Sequence, residues 1–166
     1  PAEIAGLARL QELNIEVNRL NGLPAEIANG PGLSDLRVLR AAYQTRLSNL
    51  GSALQLQSLE QVSVGVKLHA WAASSTPAEI GRLRALTTLT LMAPQHGNLA
   101  ETLAGLSNLQ KLRLVWESLP VLPTEVTELS LTSLTLEASE SGNRAERVPS
   151  NLAEVFGGLS SLTELH

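Results

Sequence analysis

The residues that could bind a metal are few and far apart in this sequence. The three histidines, His69, His96 and His166, have no His-x-x-x-His spacing, and Asp35 is the only aspartate. A metal site needs several ligands that converge on one point. The sequence therefore predicts no metal site.

The motifs of nucleophilic and phosphate-binding enzymes are also missing. The chain contains no cysteine, no Gly-x-Ser-x-Gly and no Gly-x-x-x-x-Gly-Lys-Ser/Thr. The run Gly157–Ser160 is interpreted as part of a turn within a repeat. The carboxylates of Glu125 and Glu128 are interpreted as solvated groups that line no pocket. We therefore predict that this chain is not an enzyme and uses no cofactor.

The composition indicates an aliphatic core and excludes two kinds of partner. The chain has 166 residues, long enough for one core, and is 43% hydrophobic but only 2% aromatic. Its net charge of −4 and mixed signs lack the basic stripe of a nucleic-acid-binding protein. No apolar run approaches the roughly 18 residues of a membrane-spanning helix. We expect neither a nucleic-acid nor a membrane partner.

Other features bear on compartment and completeness. The absence of cysteine and of Asn-x-Ser/Thr sequons favours a reducing compartment. The chain opens on Pro1 and closes on His166 in the middle of a pattern, so we expect it to be a fragment of a longer protein.

The spacing of leucines defines the structural elements. Across Leu103–Leu114, LAGLSNLQKLRL, leucines follow one another at intervals of three, three, three and two. An interval of three suits a tight turn with one buried face, and an interval of two suits a strand. This L-x-x-L-x-L unit is the inner half of a leucine-rich repeat. Seven imperfect copies have inward residues at Leu10, Leu13 and Ile15; Leu36, Leu39 and Ala41; Leu59, Val62 and Val64; Leu86, Leu89 and Leu91; Leu109, Leu112 and Leu114; Leu131, Leu134 and Leu136; and Leu162 and Leu165.

The outer half of the repeat also recurs. The tetrapeptide Pro-Ala-Glu-Ile, with one variant, occurs at 1–4, 24–27, 77–80 and 123–126. Proline at a first helical position and glutamate soon after it favour a short helix or 3₁₀ turn. Asn151 with Glu154 offers an N-cap and its partner.

These elements predict an α/β solenoid, a leucine-rich repeat arc formed by residues 1–166 as one domain. A short parallel sheet lines the concave side, and turns, 3₁₀ helices or short helices form the convex side, because helices need more space than strands. Three polar segments interrupt the pattern: 29–32, 92–98 and 138–148, the last expected to be a mobile loop. Leu56–Val66 can also be interpreted as one longer strand.

The repeats resemble those of bacterial and plant intracellular leucine-rich repeat proteins. The run Ser107–Pro123, SNLQKLRLVWESLPVLP, is more specifically similar to repeats of type III effectors of plant-pathogenic bacteria, the Xanthomonas outer-protein group. That resemblance implies a domain that recruits host proteins after secretion into the host cell cytoplasm. In one such effector a separate domain is a ubiquitin ligase, and no segment here is left over for it.

Residues between the inward positions are expected to face the concave surface and to bind a protein partner. The predicted set is Glu12, Asn14, Glu16, Arg40, Tyr43, Gln61, Thr88, Thr90, Met92, Lys111, Arg113, Trp116, Thr135 and Glu137. Trp116, Tyr43 and Met92 are the anchor candidates, because aromatic residues are enriched at interface hot spots. The alternatives stay open: Trp116 and Tyr43 could cover core, and the charged residues Glu12, Glu16, Lys111 and Arg113 could be merely solvated.

The predicted function is protein–protein recognition, since an open strand surface suits a protein better than a small molecule. Three hypotheses remain: the target-recruiting domain of a bacterial effector, the substrate-recognition part of a ubiquitin ligase, and an intracellular scaffold or immune-receptor fragment. No small-molecule substrate is expected.

Overall fold

Seven parallel strands form one sheet in a computed structural model of the chain, and strands adjacent in sequence are adjacent in the sheet. The structure describes residues 4, 6–16, 18, 33–44, 56–66, 78–92, 96–116, 121–138 and 148–166. The strands are β1 (Glu12–Asn14), β2 (Val38–Gln44), β3 (Gln61–Val66), β4 (Thr88–Met92), β5 (Lys111–Trp116), β6 (Ser133–Ala138) and β7 (Glu164–Leu165). The predicted parallel sheet is confirmed.

A tight turn precedes most strands and explains the leucine interval of three. In each such turn the backbone N–H of one leucine donates to the carbonyl oxygen of the leucine three residues earlier, as Leu109 does to Leu106 at 3.0 Å. The same bond, at 2.9 to 3.4 Å, joins Leu10 to Leu7, Leu36 to Leu33, Leu59 to Leu56, Leu86 to Leu83 and Leu162 to Leu159. In the turns of the inner repeats both leucines are directed toward the core, whereas in the first turn Leu7 is 51% exposed.

One carbonyl at the start of each strand fixes the register with the next repeat. The N–H groups of Gln110 and Lys111 both donate to the carbonyl oxygen of Thr87 at 2.9 Å. The carbonyl oxygens that accept such a pair are those of Gln11, Arg37, Glu60, Thr87, Gln110 and Thr132. Because every repeat is locked to its neighbour at the same point, equivalent side chains fall into straight rows across the sheet.

The rows of inward side chains are the core. One row runs Leu13, Leu39, Val62, Leu89, Leu112, Leu134 and Leu165. Leu39 and Leu89 are fully buried, whereas Leu165 on the terminal strand is 49% exposed. Each buried leucine contributes about 1.5–3 kcal/mol to folding, so the row holds the repeats together without disulfides or aromatic stacking.

Where the structure describes the outer layer, it consists of short helices, as predicted. Two Pro-x-Glu segments form the 3₁₀ helices Ala78–Arg82 and Thr124–Glu128. Two α-helices, α1 (His96–Ala104) and α2 (Leu152–Gly158), occupy the corresponding place in other repeats. Ile80 and Val126 are fully buried and pack with the strand leucines in one core.

Several expectations about local structure were wrong. The segment 92–98 is not a simple polar insertion, because Met92 ends β4 and His96 begins α1. For Leu56–Val66 the repeat assignment holds and the alternative of one longer strand does not, because the segment is a turn followed by β3. Asn151 stands at the N-cap position of α2, but its side chain makes no capping hydrogen bond. That amide instead accepts from the N–H of Leu122 at 2.9 Å and donates to the carbonyl of Leu122 at 2.8 Å.

Other expectations fall on residues outside the described set. They concern the tetrapeptide at 24–27, the segment 29–32, the loop at 139–147 and the side chain of Tyr43.

The outer turns of two repeats approach each other at glycines. A Cβ atom built on Gly105 would lie 2.0 Å from the carbonyl oxygen of Gly81, inside any permitted contact. Gly105 follows α1, and Gly81 lies in the 3₁₀ helix of the preceding repeat. The absence of a side chain at position 105 therefore sets how closely the convex layer stacks.

Candidate functional site

The outward residues of the strands form three rows on the face opposite the core, which is the concave face of the arc. The first row is Glu12, Val38, Gln61, Thr88, Lys111, Ser133 and Glu164. The second is Asn14, Arg40, Ser63, Thr90, Arg113 and Thr135. The third includes Gly65, Met92, Val115 and Glu137. Neighbouring strands place residues of one row about 4.8 Å apart.

The charges at the β1 end of this face are paired. The Arg40 guanidinium lies 3.0 Å from a carboxylate oxygen of Glu12, and both side chains are about half exposed. The Ser63 hydroxyl donates to the Glu16 carboxylate at 3.1 Å. The backbone N–H of Glu16 donates to the Asn14 side-chain oxygen at 3.0 Å. The predicted site residues Glu12 and Arg40 are thus paired with each other, and Asn14 and Glu16 belong to a second group of contacts with Ser63. Both groups orient these side chains before any partner arrives.

Further along the face a second arginine is held by a carboxylate. Arg113 donates to both oxygens of Glu137, from Nε at 2.9 Å and from a terminal nitrogen at 2.8 Å. A two-point bond of this kind fixes the plane of the guanidinium. Arg113 and Lys111 do not act as one undivided positive patch, because Glu137 neutralises Arg113.

The centre of the concave face carries an exposed lysine among hydroxyl groups. We call Thr88, Thr90, Lys111, Ser133 and Thr135 the polar patch. Lys111 is exposed and the four hydroxyl residues are partly exposed. None of the five side chains forms a hydrogen bond or ion pair with any described residue. The patch therefore offers one ammonium group and four hydroxyls to a ligand.

Two of the predicted anchors are buried in the structure. Trp116 is only 3% exposed and belongs to the main core, which favours the alternative that it covers core. Met92 is 4% exposed and forms a small separate cluster with Ala42 and Val115. Neither side chain is an exposed anchor, and the two are buried differently. Trp116 continues the inward alternation of Leu112 and Leu114, whereas Met92 lies in the outward third row and packs there against Ala42 and Val115.

Sequence reasoning did not anticipate a small concavity beside the strand starts. It has a volume of about 350 Å³ and is lined by Gln11, Ser34, Asp35, Arg37, Ser58, Glu60 and Ala85. Arg37 and Glu60 form an ion pair of 2.7 Å there. The only signal in the sequence is a charged residue just before β2 and β3. Ligand sites are usually lined by apolar side chains, and this polar concavity does not fit that description.

The described part of the chain lacks two further features. It contains no group of three His, Asp or Glu side chains placed to hold a metal ion. No helix in it has the length and apolar character needed to cross a membrane.

Comparison with known proteins identifies the fold. No protein-family model and no curated protein sequence matches the chain. Among solved structures it is similar to a leucine-rich repeat protein of Leptospira interrogans, with 27% identity and a TM-score of 0.75 over 100% of this chain and 39% of that one. It is also similar to the plant peptide hormone receptor RGFR1 in complex with RGF2, with 28% identity and a TM-score of 0.62 over 99% of this chain and 25% of the receptor.

A third structure, PEPR1 with AtPEP1, shares the fold at 22% identity and a TM-score of 0.56, over 94% of this chain and 21% of that one. The chain therefore has the leucine-rich repeat fold and is a solenoid arc. It spans well under half the length of each of these proteins.

Proposed function

We propose that this chain is a protein- or peptide-binding module that works through the concave face of its sheet. The observation that carries the proposal is the polar patch, whose five side chains have no hydrogen-bonding partner among the described residues. Polar groups that stay unpaired at the centre of an ordered surface are available to a partner. The plant peptide hormone receptor RGFR1, which shares this fold at 28% identity, was solved in complex with RGF2.

The rigidity of the face supports recognition of a macromolecule. Every strand from β1 to β7 is locked to its neighbour by backbone bonds, so the polar patch keeps its shape when free. A preorganised surface loses little conformational freedom when it binds. Three strands, β4 to β6, span about 10 Å, which is the width of an extended peptide segment with its side chains rather than that of a closed small-molecule pocket.

The finer proposal is that the chain recruits host targets for a bacterial effector inside the host cell cytoplasm. Its support is the resemblance of Ser107–Pro123 to effector repeats. In this proposal the chain supplies recognition alone, and any ubiquitin-ligase activity belongs to another part of a longer protein. A ubiquitin-ligation assay with this chain alone tests that assignment, and ligase activity of the chain would contradict it.

A bulky substitution on the concave face tests the binding proposal. Thr90→Tyr fills the centre of the polar patch without changing charge, and Thr124→Tyr makes the same change on the exposed convex helix. Immobilised wild-type protein is used to capture partners from host-cell lysate, and the captured protein is then titrated against both variants. We expect Thr90→Tyr to abolish capture and Thr124→Tyr to leave it intact. Equal binding by both variants would refute a concave site.

A further inference from the structure

The acidic groups of the concave face are largely satisfied within the chain, and its central ammonium group is not. Glu12 is paired with Arg40, and Glu137 is paired with Arg113. Lys111 lies between Thr88 and Ser133 in the first row and has no carboxylate partner among the described residues. The centre of this face therefore carries one uncompensated positive charge, although the chain as a whole has a net charge of −4.

The remaining acid of the first row is too far away to neutralise Lys111. Glu164 follows Ser133 in that row, on β7, two strands from Lys111. Two strand spacings amount to about 10 Å. At physiological ionic strength an interaction between exposed charges at that distance is largely screened.

The hydroxyl groups around Lys111 suit a carboxylate. Thr88 and Ser133 flank it on the adjacent strands, and Thr90 and Thr135 follow two residues further along those strands. Each hydroxyl can donate a hydrogen bond to a carboxylate oxygen or accept one from a backbone N–H. An extended segment can thus place one acidic side chain at Lys111 and its backbone amides over the hydroxyls.

We infer that the polar patch recognises an acidic segment of the partner protein, with an aspartate or glutamate carboxylate bound opposite Lys111. This inference rests on the proposed function and names the chemistry of the partner. Charge complementarity selects this occupant, because a neutral or basic segment would leave the Lys111 ammonium without a counter-charge.

Selection from a phage-displayed library of random peptides tests the inference. We expect peptides selected on the wild-type protein to share an aspartate or glutamate at one position, and Lys111→Glu to remove that preference. Arg82→Glu is the matched control, because it makes the same charge change at an exposed residue of the convex 3₁₀ helix. It should leave the preference unchanged.

Affinity measurements on one selected peptide sharpen the test. Lys111→Glu should weaken its binding by about tenfold, since an attraction becomes a repulsion. Glu137→Gln should tighten binding by about two- to fivefold, because it removes the carboxylate that neutralises Arg113. A gain of affinity is a readout that a merely structural role of these residues would not produce. A peptide in which asparagine or glutamine replaces the acidic residue should bind Glu137→Gln no more tightly than it binds the wild-type protein.

The outcomes separate the inference from the proposed function. If selected peptides bind but show no acidic preference, or keep it on Lys111→Glu, the inference is wrong and the binding module stands. If no peptide is selected and Thr90→Tyr also leaves protein capture unchanged, both are wrong. If Lys111→Glu instead dissociates a dimer in sedimentation equilibrium, a second copy of this chain occupies the patch and the inference is overturned. Equal competition by millimolar inorganic phosphate in wild type and Lys111→Glu would also overturn it.

Discussion

The stacking of the convex layer depends on a glycine, and Gly105→Ala is expected to destabilise the protein. The added methyl carbon would sit 2.0 Å from the carbonyl oxygen of Gly81 and 2.8 Å from its carbonyl carbon. Both of these atoms belong to backbone, so no side-chain rotation can relieve the clash. The two outer turns must move apart, although the strands beneath them remain locked in register.

The size of the effect follows from that displacement. Ordinary contact begins near 3.4 Å, so the turns must separate by about 1.4 Å, a shift of the kind that overpacked cores meet at a cost of about 1–3 kcal/mol. Alanine restricts the unfolded chain more than glycine does, which offsets about 0.4–1 kcal/mol. We therefore expect a net loss of about 1 kcal/mol, or a drop in Tm of about 2–4 °C for a chain of this length.

Urea unfolding followed by circular dichroism measures this loss as a lower midpoint at an unchanged slope. Gly157→Ala is the matched control, because a Cβ atom there meets nothing within 4 Å and the residue lies in α2. Removing a glycine from a helix should stabilise the protein by about 0.5 kcal/mol. If Gly105→Ala is as stable as Gly157→Ala, the close approach of the two turns does not exist in solution.

Three further changes have defined outcomes. Trp116→Ala should lower the free energy of unfolding, measured by heat or urea, by about 3–5 kcal/mol, because it leaves a cavity where the buried indole was. An unchanged melting curve would indicate that Trp116 is exposed in solution. Asn151→Ala should lower the free energy of unfolding by about 1–3 kcal/mol, because it leaves the N–H and carbonyl of Leu122 without their partners. A loss no greater than that of a substitution at an exposed site would argue against these two hydrogen bonds. Arg113→Ala should change stability by less than about 1 kcal/mol, since its pair with Glu137 is about half exposed; a larger loss would indicate a structural role.

The period of the leucines predicted the sheet, because each inward position has a local cause. An i to i+3 backbone bond closes the turn, and strand alternation then sends every second side chain inward. The same alternation could have placed Trp116 correctly, since it lies two residues beyond the buried Leu114. The prediction that Trp116 is an interface anchor rested instead on the enrichment of aromatic residues at interfaces.

Features that depend on neighbouring repeats were not predictable from the period. Asn151 satisfies the backbone of Leu122, 29 residues away, and nothing in the sequence distinguishes this from capping its own helix. The burial of Met92 depends on which residues of other strands lie beside it. The start of α1 at His96 was missed because polar residues open it, although Leu99 and Leu103, both fully buried, have the spacing of one helical face.

The pairing of charges on the concave face also required the three-dimensional register. The sequence identified Glu12, Arg40, Arg113 and Glu137 as outward residues of the strands. It did not show that they form two ion pairs and that Lys111 has no carboxylate partner among the described residues. This arrangement of charges is the basis for the inference that the partner segment is acidic.

Photo-crosslinking measures the location of the partner most directly. Benzoylphenylalanine is incorporated in place of Thr90 in one sample and in place of Thr124 in another, and each is irradiated with a cell lysate that contains the captured partner. The concave-face account predicts a covalent adduct of the same partner from position 90 and none from position 124. Adducts formed only from position 124 would place the partner on the convex side and contradict the account.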